Sequence, residues 1–223
     1  MTAMSHPFVE EAVRLLHEYA NAELAGPMRK YMKDHFPFLG IKAPLRKELS
    51  KRLLKEQGIP DDWETVVRQL WAMPEREFQY VAMDLLEKVK KRLEAGHLRL
   101  VEELITTKSW WDTVDYLAAH TVGTLFRLFP ALIAPTNAGW IASGNLWLQR
   151  TTILFQLSYK EKTDRELLFS NIRIYKDSQE FFIQKAIGWS LREYAKTDAA
   201  AVLRFVEQTP LASLSRREAL KHF

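Results

Sequence analysis

Apolar side chains recur three and four residues apart along almost the whole chain. No stretch shows the two-residue alternation of a strand bounded by glycine-rich turns. That rhythm confines the fold to helices packed on helices. Phe8, Val13, Leu15, Leu16 and Tyr19 mark a first helix, and Met28, Tyr31 and Met32 a second that Pro37 and Gly40 close. Pro44, suited to a first helical turn because its missing N–H is not needed there, opens a third through Leu45, Leu49, Leu53 and Leu54, ending at Gly58. Asp61 or Asp62 caps the next, which carries Trp63, Val66, Val67, Leu70 and Trp71. Pro74 starts a long helix through Phe78, Val81, Ala82, Leu85 and Leu86. Further helices are predicted over 97–106, 110–128, 130–141, 145–158, 164–175, 179–196, 198–208 and 212–222, joined by short connections. The expected class is all-α, with residues 1–223 forming one domain.

A longer period overlies the helical one. Gln79, Gln149 and Gln184 stand in similar surroundings, Phe78-Gln79-Tyr80, Leu148-Gln149-Arg150 and Ile183-Gln184-Lys185, at spacings of 70 and 35. The missing position, 35 residues from both Gln79 and Gln149, is Val114. Thirty-five residues is about one helical pair, the unit of a HEAT-like solenoid in which each repeat touches only its neighbours. Val81, Tyr116, Thr151 and Ala186 share one column, and Leu85, His120, Phe155 and Ser190 another, half of it apolar. The column after the glutamine reads Tyr80, Asp115, Arg150, Lys185. Four residues earlier it reads Arg76, Trp111, Leu146, Phe181, and four later Asp84, Ala119, Leu154, Trp189. Equivalent positions of stacked repeats line one surface, so Trp111, Asp115, Arg150, Lys185 and Trp189 are expected together on a concave face. An internal ion-pair ladder, Asp115 with Arg150, explains the same column without any function.

The stretch Lys108-Ser109-Trp110-Trp111-Asp112-Thr113-Val114-Asp115 supplies the sharpest candidate chemistry. Ser109 reads as a helix cap with Asp112 three residues on, and Trp111 and Asp115, four apart, project from one helix face. An aromatic platform beside a carboxylate holds a sugar or a cation. Paired tryptophans at a helix start are also, more often, ordinary core.

Charge points toward a polyanion. The net charge is +4 with a pI near 9.2, and residues 29–56 hold nine Lys or Arg against three acids, Arg46 and Lys47 among them. Arg192, Arg216, Arg217 and Lys221 add positive charge at the far end. A basic groove is the footprint of phosphate-backbone binding, although single lysines on amphipathic helices mostly face water. The chain has no cysteine, which excludes disulfides, thiolate metal sites and a cysteine nucleophile and fits a reducing cytoplasm. No apolar run is long enough to span a membrane, and no basic-then-apolar secretory signal is visible at the N-terminus. Among eight glycines there is no phosphate-binding loop, no Gly-x-Ser-x-Gly elbow is present, and the six histidines lack paired metal-ligand spacing. What remains is one carboxylate among aromatics and cations. That set suits cleavage of an N-glycosidic bond, where a carboxylate stabilises the sugar cation or orients a water. A purine alkylated on a ring nitrogen leaves neutral without a general acid, so one carboxylate suffices.

Thr107-Lys108-Ser109-Trp110-Trp111-Asp112-Thr113-Val114-Asp115, Asn145-Leu146-Trp147-Leu148-Gln149-Arg150 and the segment from Phe181 to Thr197 resemble the AlkD family of bacterial DNA alkylation-repair glycosylases. So do Tyr31-Met32-Lys33, Phe38-Leu39-Gly40-Ile41 and Leu70-Trp71 with Pro74 to Gln79. The resemblance covers nearly the whole chain. It implies a HEAT-like α-solenoid that holds duplex DNA in a concave, basic face and releases cationic N3- and N7-alkylated purines. It further implies a monofunctional enzyme. The protein is expected to need no metal or organic cofactor, to act as a monomer and to work in the cytoplasm near the nucleoid. By resemblance Asp115 is the catalytic carboxylate, Trp111 and Trp189 contact the lesion's deoxyribose, and Arg150 and Tyr31 meet the DNA. Lys185, Arg46 and Lys47 join Arg150 in holding phosphates. The family continues past the position of Lys221-His222, whereas this chain stops at Phe223, which leaves DNA contacts of the last helix open. The competing readings are a non-catalytic helical scaffold for DNA or protein and, more weakly, an RNA-binding solenoid.

Overall fold

The computed structural model describes residues 5–223, and the regular elements among them are all helical. Residues 1–4 of the expected domain lie outside the described residues. Its contacts group the chain into two compact units, Met1–Leu93 and Glu94–Phe223.

The first unit holds α1 (Pro7–Glu18), α2 (Ala22–Tyr31), α3 (Ala43–Gln57), α4 (Trp63–Ala72) and α5 (Arg76–Val89). Their boundaries follow from local chemistry. Pro7 and Pro44 sit in the first turns of α1 and α3, Asn21 Oδ1 accepts from the N–H groups of Glu23 and Leu24, and Gly58 follows α3 with φ 73°. The long helix starts at Arg76 rather than Pro74, where the Arg76 N–H donates to the Pro37 carbonyl at 3.0 Å. α4 packs on α5, and α1 and α3 close the core around Leu16, Leu53, Val66, Leu70, Phe78 and Leu85.

Residues 38–41 earn their place in this unit by geometry. The N–H groups of Leu39, Gly40 and Ile41 all donate to the buried Glu77 carboxylate, at 3.0, 2.9 and 3.1 Å. Three amide donors satisfy a charge that burial alone would penalise. Gly40 has φ +89°, and a Cβ there would stand 2.0 Å from the Asn21 carbonyl oxygen, so only glycine fits.

The second unit holds α6 (Leu98–Thr106), α7 (Trp111–Tyr116), α8 (Gly123–Leu128), α9 (Ile133–Ala142) and α10 (Leu146–Leu154). It continues through α11 (Arg165–Ile174), α12 (Phe181–Ala195), α13 (Ala199–Gln208) and α14 (Ser213–Ala219). Two corrections to the expected elements matter. The helix over 110–128 is continuous but passes through a π-helical turn, Leu117–Val122, between α7 and α8. Ser109 is not the cap of α7. The cap position is Trp110, and the Ser109 hydroxyl instead donates to the Ile105 carbonyl at 2.7 Å, tying off the end of α6. The helix expected over 145–158 stops at Leu154, and that over 212–222 is shortened to Ser213–Ala219.

The 35-residue period acquires a physical meaning. Gln79 Nε2 donates to the carbonyls of Leu70, Trp71 and Met73 at 3.3, 3.1 and 2.8 Å. Gln149 Nε2 reaches the Ile141 carbonyl at 3.1 Å, and Gln184 Nε2 that of Ser178 at 2.9 Å. In each case the amide reaches back to backbone carbonyls shortly before its own helix, at the helix end or turn where carbonyls lack helical partners or, as at Leu70, hold only a capping bond.

Candidate functional site

Four helices of the second unit converge on one cavity of about 360 Å³, lined by Trp111, Asp115, Arg150, Phe181, Phe182, Lys185, Trp189, Arg192 and Glu218. Its size falls at the lower end of small-ligand sites. α10 packs on α7 and α12, and α12 packs on α14. The i, i+4 spacing on α7 puts Trp111 above Asp115, and on α12 Phe181, Lys185, Trp189 and Arg192 fall on one stripe. Gly188 lets α14 approach: a Cβ there would be 2.4 Å from Glu218 Cβ and 2.9 Å from the Ser215 carbonyl oxygen.

Asp115 and Arg150 form the centre. Arg150 Nε and Nη2 donate to Asp115 Oδ1 and Oδ2 at 2.7 and 2.8 Å, a bidentate pair whose side chains are only 4% and 13% exposed for Arg150 and Asp115. The remaining nitrogen, Nη1, donates to the Phe182 carbonyl, so the guanidinium locks α7, α10 and α12 together. Burial pushes the Asp115 carboxyl above its ordinary value. Arg150 pulls it down, and the nearby charge of Asp112 adds a smaller upward push. A buried carboxylate gripped on both oxygens has its orientation fixed, and the guanidinium favours its charged form.

The two neighbouring tryptophans part ways. Trp110, in extended conformation, packs edge-on against Trp147 and Phe182 with centroids 5.7 and 5.0 Å away, while Trp111 lines the cavity. On the opposite wall Glu218 binds two cations: Oε1 lies 3.1 Å from Lys185 Nζ and Oε2 2.9 Å from Arg192 Nη1. The hydrogen bond from Lys185, then that from Arg192, hold the Glu218 carboxyl below the usual carboxylate range. Among the described residues no three His, Asp or Glu side chains are grouped as metal ligands.

The structure thus brings together Trp111, Asp115, Arg150, Lys185 and Trp189, as the register of the repeat predicts. The ion pair that the sequence left open as a structural ladder is formed. Arg150 is turned inward, with three of its five N–H donors bound to Asp115 and the Phe182 carbonyl. Tyr31, Arg46 and Lys47 belong to the first unit. Tyr31 is 69% exposed at the end of α2, and Lys47 is exposed on α3. Arg46 is buried, 2.5 Å from Asp84 and 5.0 Å from the centre of the Tyr80 ring, so this arrangement does not present it to DNA. Phe182 and Glu218 were not foreseen. Phe181 stood in the Trp111 column, a signal that was available.

The sequence profile described as DNA alkylation repair enzyme matches residues 12–223. The chain belongs to the DNA alkylation repair enzyme family. A solved structure described as a predicted DNA alkylation repair enzyme from Enterococcus faecalis is 36% identical in sequence and superposes with a TM-score of 0.84. The match covers 92% of this chain and 96% of that one. Comparison with curated proteins finds no match. Membership in the DNA alkylation repair enzyme family makes DNA the partner, and the similarity agrees with an all-helical repeat fold.

Proposed function

We propose that the protein is a monofunctional DNA glycosylase that hydrolyses the N-glycosidic bond of cationic N3- or N7-alkylated purines in duplex DNA. The observation that carries this reading is the Asp115 carboxylate, held on both oxygens and facing a cavity walled by Trp111 and Trp189. In the proposed reaction the bond from C1′ to the purine nitrogen breaks, and its electron pair neutralises the base, which leaves without protonation. Asp115 stabilises the positive charge that develops on the sugar and takes a proton from the water that adds to C1′. The two indoles contact the sugar, each adding on the order of 1–2 kcal/mol of attraction to partial positive charge once desolvated. Arg150 is a positioning residue: it holds Asp115 in one orientation and favours its charged form. Lys185 is ion-paired with Glu218, an arrangement that gives no support to a Schiff-base lyase step. The protein acts as a monomer and needs no cofactor in this scheme.

The test is release of 7-methylguanine and 3-methyladenine from methylated duplex DNA. Asp115→Asn should lower single-turnover release about 10²- to 10³-fold while duplex affinity stays nearly unchanged. Unchanged release, or a loss explained wholly by weaker binding, removes Asp115 from the chemistry. If the wild-type protein releases no base from any alkylated substrate, the chain is a DNA-binding scaffold.

A further inference from the structure

Lys185 and Arg192 lie about two turns apart on one stripe of α12, at the wall of the cavity that holds Asp115, and both are bound to a carboxylate from another helix. Glu218 spans them, one oxygen to each, with its side chain 16% exposed. One anion with two oxygens, bridging an ammonium and a guanidinium, has the shape and charge of a phosphodiester contact. We propose that Lys185 and Arg192 form a second subsite, for a backbone phosphate of the DNA, and that Glu218 occupies it in the free protein. This rests on the glycosylase reading above.

Two consequences separate this subsite from a plain structural staple of α14 to α12. First, a phosphate entering the subsite must displace Glu218, so part of the attraction of Lys185 and Arg192 is cancelled in the free protein. Undamaged duplex, which has no other reason to settle there, is held more weakly for it. Second, Glu218 contacts leave the site as the phosphate contacts form. Binding then shows a shallower salt dependence than two open cations would give. Arg192 Nη1 also lies 3.3 Å from the Glu218 carbonyl oxygen, so the guanidinium stays oriented toward α14 while the carboxylate swings away.

Fluorescence anisotropy with a short undamaged duplex, over a salt series, tests this on the full chain. Glu218→Gln keeps the side-chain length and the contact with Gly188 while removing the charge. It should tighten binding about three- to tenfold, the range of one or two released ion pairs, and steepen the salt slope by about 0.9, one phosphate contact. Glu207→Gln, an exposed carboxylate on α13, is the control for general charge and should change affinity less than twofold. Lys185→Gln should cost little in the wild-type protein and severalfold more in the Glu218→Gln background. The subsite is overturned if Glu218→Gln binds no tighter than Glu207→Gln, or if the effects of Lys185 and Glu218 simply add. A melting temperature lowered by Glu218→Gln with DNA affinity unchanged is the staple alone and also overturns it. If the wild-type chain binds no duplex, the glycosylase reading falls and takes the subsite with it. Wild-type base release without coupling between Glu218 and Lys185 removes only the subsite.

Discussion

Replacing Arg150 by methionine should expose how firmly the cavity holds the Asp115 charge. Methionine matches the length of the arginine stem but removes the charge and every donor. It strands the Asp115 carboxylate, whose side chain is 13% exposed, without its bidentate partner, and removes the added bond from Arg150 to the Phe182 carbonyl of α12. Breaking a buried pair in this way costs about 3–5 kcal/mol.

The protein can lessen that cost by protonating Asp115, which makes the loss depend on pH. Burial raises the Asp115 pKa, and the two influences that lower it both come from Arg150. Without Arg150 the folded-state value rises further, while the unfolded value stays near 4. Between these two values the folded state holds the proton more tightly than the unfolded state does. The stability of the variant therefore falls as pH rises through that window. Urea unfolding of wild type and Arg150→Met should show a smaller difference at pH 4 than at pH 7. At pH 7 it should reach several kcal/mol. Adding Asp115→Asn to the variant should flatten the profile. A loss equal at both pH values, or one below about 1 kcal/mol at pH 7, would show that Asp115 and Arg150 are not coupled as the geometry requires.

Two further outcomes follow from the same site. Base release should fall on the acid side as Asp115 takes up a proton, with its midpoint above the ordinary aspartate value of about 4 because burial raises that group. Asp112→Asn removes a like charge that contributes to the shift and should move the midpoint down, and an upward move in the pH–rate profile would refute the assignment. Gly188→Ala places a Cβ 2.9 Å from the Ser215 carbonyl, which cannot yield without α14 moving, so thermal unfolding should report a loss of about 1–3 kcal/mol. Full stability in that variant would mean that α14 is not pinned against α12.

Most of the helices were legible because their apolar residues answer to one local rule, the 3.6-residue turn. The site was legible for a different reason. Trp111, Asp115, Arg150, Lys185 and Trp189 sit at related positions of a 35-residue repeat, and stacked repeats turn sequence register into proximity. What failed was whatever depends on a partner outside the repeat. Arg46 counts as basic surface in any tally of charge, yet packing sets it against Asp84 and Tyr80. Ser109 has the spacing of a cap, but its hydroxyl is taken by a carbonyl at the end of α6. Glu218 comes from α14, which matches no column, so nothing in its spacing ties it to Lys185 or Arg192. The π-helical turn breaks the register itself: His120 is exposed where Leu85, Phe155 and Ser190, its counterparts, are buried.

The point where the repeat departs from its own pattern is also the point where the residues of the proposed site gather, and the two are physically connected. At Gln79, Gln149 and Gln184 an amide within the helix ties back to carbonyls of the segment before it. The fourth position is Val114, fully buried and unable to donate, so the carbonyl at the end of α6 is satisfied by Ser109 from inside the turn. The residue between Ser109 and α7, Trp110, is then extended, with φ −159° and ψ 164°, and its indole joins Trp147 and Phe182. Phe182 in turn presents the carbonyl that holds Arg150, and Arg150 holds Asp115. Replacing the amide tie by an aromatic one thus couples the entry of α7 to the orientation of the carboxylate, and leaves Trp111, the next residue, facing the cavity. A repeat that kept glutamine at position 114 would have its turn secured without Ser109 or Trp110.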